Sequence, residues 1–224
     1  EGRADAEMIQ IMQKRGVPAD HVLFLKNEQA TEANITQKFA PFLQRAAADD
    51  TLVFYYAGHG GRDYSKPERT CTFVTYDAAS TWTVSSVFDT VQRNFHGAQT
   101  LYLADCCHSG SLVTEASQRK KRAAVLASAH VSSTSTGNWT FTKCLIEMFR
   151  GNPVLDADSD GSITFTEAAR YVEREMSFVE GQHAAHSVSG GFTPDFALAS
   201  ASGRHTPRMG ELVEGESQGK WWKA

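Results

Sequence analysis

Apolar residues recur at helical spacing in residues 5–15, where Met8, Ile9, Ile11 and Met12 mark one face and Gly16 and Pro18 stop the run. A short apolar run at 21–25 is bounded by turn signals and predicts a strand. A second helix is predicted over 31–48, with Ile35, Phe39, Phe42 and Leu43 inward. Residues 52–56 form a continuous apolar strand that runs into Ala57-Gly58-His59-Gly60-Gly61. Beyond it, the pattern predicts an extended piece at 71–76, a helix at 85–95 and a strand at 101–104 that leads into Asp105-Cys106-Cys107-His108-Ser109-Gly110. A strand at 123–127, helices at 139–150 and 165–179, and a strand at 196–200 complete the series. Continuous apolar strands alternating with amphipathic helices predict an α/β fold, a mostly parallel central sheet with helices on both faces.

In such sheets reactive groups gather at the carboxyl ends of the strands. Both glycine-punctuated segments, 57–61 and 105–110, fall at strand ends, which points to one shared site. From Ser202 onward the chain turns polar and Gly-rich, so a boundary is placed near Gly203, giving a domain of 1–202 and a tail of 203–224.

The length of 224 residues suits one α/β domain with a substantial core. A formal charge of −4 argues against a nucleic-acid partner held by overall positive charge, and no apolar run is long enough to span a bilayer. The four cysteines, at 71, 106, 107 and 144, fit neither a disulfide framework nor a zinc pattern. A reducing compartment, the cytoplasm, is therefore expected, with a functional thiol among the four.

A thiol attacks a peptide carbonyl as thiolate or with a base at hand, and donors must meet the oxyanion that forms. His59, between two glycines, supplies the base, and the adjacent pair Cys106-Cys107 supplies a thiol. The backbone N–H groups of Cys107 and Gly60 are the candidate oxyanion donors. Singly, a buried Cys is a small hydrophobe and a lone His a satisfied surface or core residue. Two such blocks, both at strand ends, favour chemistry.

YYAGHG at 55–60 and DCCHSG at 105–110 resemble the His and Cys blocks of caspase-like cysteine peptidases, most closely metacaspases and their bacterial relatives. The separation of 48 positions (107 − 59) is close to the roughly 50 of caspases. ADAEMIQIMQKRGV, ADDTLVFYYAGHGG and AAVLASA read as the same domain, and the resemblance runs over about 3–200. It implies a caspase-like fold and a cysteine endopeptidase with a His59–Cys107 dyad, Cys106 being a packed thiol and His108 structural. It also implies protein or peptide substrates with Arg or Lys before the scissile bond. Asp105 and Asp5, the latter from Ala4-Asp5-Ala6, would then face that side chain. Asp5 also reads as a helix-dipole residue. Ala57 stands where metacaspases often have Ser, which removes a polar pocket contact. The basic run Arg119, Lys120, Lys121, Arg122 reads as a solvated face or as a self-processing site of such an enzyme. Two alternatives are a catalytically silent scaffold of this fold and a transpeptidase of the same clan.

Asp156, Asp158, Asp160, Ser162 and Glu167, with Gly161 at the sixth position, match an EF-hand loop. No cofactor is required for thiol chemistry, so Ca2+ here is an accessory. The competing reading is a capped helix start with acids at its positive end, because Gly151-Asn152-Pro153 interrupts the preceding helix and no second EF-hand exists to pair. The resemblance also implies calcium acids elsewhere, with Asp63 and Asp77 as counterparts. It further implies a central strand before the first helix, expected upstream of residue 1. At the other end, 210–224, with Trp221-Trp222, resembles the first hairpin of a Tudor or agenet-like module.

Overall fold

The computed structural model describes residues 3–63, 71–78, 82–202, 214–217 and 220–223. Its helices are α1 (Ala4–Lys14), α2 (Glu32–Leu43), α3 (Val84–Asn94), α4 (Ser111–Ser117), α5 (Thr140–Arg150) and α6 (Phe165–Glu180). Its strands are β1 (Thr51–Ala57), β2 (Gly60–Arg62), β3 (Cys71–Phe73), β4 (Gln99–Asp105), β5 (Ala123–Ala127), β6 (Ser162–Thr164), β7 (Ala185–Ser189), β8 (Ala197–Ser200), β9 (Glu214–Ser217) and β10 (Lys220–Lys223).

The central sheet has the order β1-β4-β5-β7, with β1, β4 and β5 parallel and β7 antiparallel to β5. Alternation along the strands divides the core in two. Leu101, Leu103, Ala124 and Leu126 face α1, α5 and α6. Tyr102, Ala104, Ala123 and Val125 face α2, α3 and α4. Both faces are thus covered, as the unbroken apolar strands require.

Local signals account for the helix limits. In α3, Val84, Val87, Phe88 and Val91 form the buried stripe, and Thr83 Oγ1 accepts from the Ser86 N–H. Thr164 and Glu167 close a capping box at the start of α6. The second helix is shorter than the predicted 31–48: Thr31 is its cap, and Pro41 falls near its end at Leu43.

One predicted strand is not formed, and two others lie outside the central sheet. Residues 21–25 form no strand: Ala19–His21 is a 3-10 turn, and the extended stretch after it has no ladder partner. An open groove of about 520 Å3, lined by Val22, Leu23, Phe24, Leu52 and Val53 among others, separates that stretch from β1. The extended piece at 71–76 contributes only β3, which pairs with β2 outside the main sheet. The last strand, β8, pairs with β6 in a separate two-stranded sheet. The boundary placed at Gly203 lies outside the described residues. Beyond it, β9 and β10 pair as an antiparallel hairpin.

Candidate functional site

The β1–β4 register builds the site. Ala57 pairs with Asp105 at the carboxyl ends of two adjacent parallel strands, and the Gly58 N–H donates to Asp105 O at 3.2 Å. One offset of 48 relates the paired residues (105 − 57) and also His59 and Cys107 (107 − 59). His59 and Cys107 therefore stand two positions past the ladder on neighbouring strands, whose ordinary spacing is ~4.8 Å. Gly60 closes the approach. A Cβ there would sit 2.8 Å from the Cys107 carbonyl carbon, nearer still to its oxygen, and 3.3 Å from Cys106 Sγ. The His block and the Cys block are packed backbone against backbone, so only glycine fits. The same packing brings together the Gly60 and Cys107 main chains predicted to meet an oxyanion.

His59 is exposed and Cys107 half-buried. The His59 carbonyl accepts from the Val74 N–H at 2.9 Å and lies 2.8 Å from Tyr56 Oη, which also reaches Val74 O at 2.9 Å. Tyr56 thus ties the His turn to the β3 side. Cys106 differs from Cys107: it is 2% exposed, and burial pushes its thiol well above the ordinary range. That matches a packed thiol. His108 takes a positive φ of 59°, and its Nδ1 lies 3.0 Å from Val131 O.

The segment after β5 folds over Cys107. The Ser135 N–H donates to Cys107 Sγ at 3.3 Å, and the Cys106 N–H donates to Ser128 Oγ at 3.1 Å. The Ser128 and Ser135 hydroxyls are 2.9 Å apart. No pattern in 128–136 had marked this segment.

Of the two pocket acids, Asp105 accepts from Thr142 Oγ1 at 2.7 Å and from the Thr142 N–H at 3.3 Å. Burial raises its pKa, and hydrogen bonds from Thr142, Ser128 and Ser135 only partly oppose this. Asp5 is 4% exposed; it accepts from Arg3 Nε at 3.0 Å and from the Ala6 N–H at 2.9 Å. Tyr55, bonded to Thr142 Oγ1 at 2.8 Å, feels the charges of Asp105, Asp5 and Arg3 alike. The two acids thus belong to one electrostatic neighbourhood, already containing the chain's own Arg3 guanidinium.

In the acidic loop, Asp156, Asp158 and Glu167 converge, their ligand oxygens all within 4.8 Å of one another. Asp160 does not join them; its carboxylate accepts from the Ser162 N–H at 2.7 Å. Glu167 accepts from the Ala157 and Thr164 N–H groups at 2.7 and 2.8 Å. Metal-ready carboxylates and the capped helix start are therefore the same residues. Asp77 lies elsewhere, accepting from Thr75 Oγ1 at 2.6 Å. In the basic run, Arg119 is pinned by Asp89 and Glu115, and Lys121 Nζ donates to Phe95 O at 3.1 Å, while Lys120 and Arg122 are exposed.

Residues 5–115 match the family model described as "Metacaspase, peptidase C14 domain". No curated protein matches the chain. Among solved structures, the crystal structure of protein GSU0716 from Geobacter sulfurreducens is similar at 18% identity and a TM-score of 0.63, covering 89% of each chain. That likeness speaks to the fold. Among the described residues no helix is long and apolar enough to cross a membrane.

Proposed function

Since the chain belongs, through residues 5–115, to the metacaspase family of C14 peptidases, we propose that it is a cysteine endopeptidase working through His59 and Cys107 and cleaving after Arg or Lys. The observation that carries this reading is the β1–β4 register, with the Gly60 backbone against Cys107. Cys107 Sγ attacks the scissile carbonyl carbon as His59 takes the thiol proton. The N–H groups of Cys107 and Gly60 meet the oxyanion. The tetrahedral species then expels the amine, which receives the proton from His59, and leaves a thioester on Cys107. Water, deprotonated by His59, cleaves the thioester and restores the thiol. Asp5 and Asp105 supply the negative potential that favours a basic side chain; in a substrate complex that cation competes with Arg3 for Asp5.

Ca2+ at the acidic loop is part of the proposal. The all-oxygen set of Asp156, Asp158 and Glu167, with Ser162 beside it, suits a hard cation. Each carboxylate oxygen that accepts one N–H keeps a second lone pair. The ion would brace the entry to α6. Self-processing within the basic run, where Lys120, Lys121 and Arg122 are exposed, completes the reading.

The test is hydrolysis of fluorogenic peptides ending in Arg, Lys, Asp or Leu by wild type and Cys107→Ala, with Ca2+ or chelator. Basic-only cleavage, lost in the variant, is expected. Folded protein that turns over none of the peptides would sink the proposal.

A further inference from the structure

The segment over Cys107 is itself held in place from a distance. Helix α6 ends at Gly181, whose left-handed φ of 61° lets the chain turn. The next N–H, that of Gln182, reaches back to Met176 O at 3.1 Å, which fixes where the Gln182 side chain starts. Its amide then makes three bonds. Nε2 donates to Ser128 O and reaches Ser135 Oγ at 3.4 Å, and Oε1 accepts from the Thr136 N–H at 3.1 Å. Two residues earlier, Glu180 accepts from Asn138 Nδ2 at 3.0 Å and from Thr140 Oγ1. Both ends of the 128–136 strap are thus gripped by one side chain, and the strap's exit into α5 by its neighbour.

A primary amide suits this position because it donates twice and accepts at once; a carboxylate cannot donate, and a hydroxyl has one hydrogen. Between the gripped points lies the Ser135 N–H that points at Cys107 Sγ. The Cys107 thiol can donate in return to Ser135 O, but that contact is long at 3.9 Å, so the 3.3 Å donor aimed at sulfur favours the thiolate over the thiol. The Gln182 amide bonds to Ser128, Ser135 and Thr136 and not to Cys107 among the described residues, so its effect passes through Ser135.

We propose that Gln182 is a positioning residue for the nucleophile, clamping the Ser128–Thr136 strap so that the Ser135 N–H stays on Cys107 Sγ. This rests on the reading of Cys107 as the nucleophile. Loss of the clamp frees the strap and removes the charge-assisted hydrogen bond. The expected cost is about tenfold in thiolate reactivity at neutral pH, the scale of one such bond.

The experiment compares wild type with Gln182→Met, similar in length but without amide bonds, and Gln182→Glu, which keeps the acceptor for Thr136 and loses both donors. Cys107 alkylation by iodoacetamide is followed by peptide mapping at pH 7 and pH 9.5. The ratio of the two rates cancels any change in access. In Gln182→Met the ratio is expected to fall about tenfold, and kcat on an Arg peptide to fall similarly with KM unchanged. Gln182→Glu should show both effects and serves alone if the Met variant does not fold. A folded variant whose alkylation ratio stays within twofold of wild type overturns the inference. So does one in which KM rises while the ratio holds. If wild type cleaves no peptide, the peptidase reading fails, yet the alkylation ratio still decides the clamp.

Discussion

Replacing Gly60 by alanine adds one methyl group at the point where the two halves of the site touch. The added carbon would lie 2.8 Å from the carbonyl carbon of Cys107. That is ~0.7 Å inside the roughly 3.5 Å at which two carbons attract, and the carbonyl oxygen is closer still. The obstruction is main chain on both sides, so no rotamer change relieves it. Either the turn carrying His59 or the turn carrying Cys107 has to move. A misplacement of about 1 Å in a catalytic geometry costs on the order of 100-fold in rate, and overpacking of this kind costs about 2 kcal/mol of stability. For a chain of this length that corresponds to a fall in Tm of roughly 4–8 °C. The assay is kcat/KM on an Arg peptide beside thermal melting of wild type, Gly60→Ala and Gly137→Ala. A Cβ at Gly137 meets nothing within 4 Å, which makes that variant the control. If folded Gly60→Ala keeps kcat/KM within threefold of wild type, the close packing of the blocks is not what positions the dyad.

Three further outcomes follow from the same geometry. Cys106→Ala should retain catalysis within a few-fold and lose about 1 kcal/mol in denaturant melts, because this buried thiol acts as a small hydrophobe; loss of all activity would make Cys106 the nucleophile. Asp105 has its pKa raised by burial, so the folded state binds its proton more tightly than the unfolded chain does. Its contribution to stability is therefore present at low pH and declines as pH rises from the ordinary 3.8 through the raised value, each unit of elevation being worth about 1.4 kcal/mol. Melting from pH 3 to 7 should show that decline in wild type and its absence in Asp105→Asn; identical profiles would refute it. Glu167→Gln keeps a capping-box acceptor for the Thr164 N–H but gives up the second oxygen, which accepts from the Ala157 N–H, so it should cost about 1 kcal/mol and abolish any rise in Tm on adding Ca2+. In wild type, Ca2+ at 100 times its Kd adds about 2.7 kcal/mol; a Tm unchanged by millimolar Ca2+ would leave the loop as a helix cap alone.

Much of this arrangement was legible in the sequence because period and punctuation are local. The runs that became β1, β4 and β5 are apolar at nearly every position, and the predicted strand at 123–127 coincides with β5. Elements without such a signal escaped. β7 (AHSVS) is a polar edge strand whose pairing with β5 is decided by tertiary contact, and α4 is only seven residues long. The run at 21–25 shows the converse: residues can favour extension, but a strand needs a partner, and none of the described residues provides one. His59 and Cys107 were readable from their glycine-flanked motifs. The reach of Gln182 was not, since its partners lie 46 to 54 positions away and a single glutamine after a glycine carries no pattern.

The open side of β1 has a consequence for how this chain behaves in a tube. Among the described residues β1 is the sheet's edge, Val53 is 37% exposed, and the groove beside it is walled on its far side by another extended stretch. A sheet edge flanked by apolar side chains is a template for an extended chain that meets it. Among the described residues this edge therefore favours pairing with a second extended chain, more so at higher protein concentration. Dilution, or a lysine in place of the exposed Val53, would weaken that pairing and leave the thiol untouched.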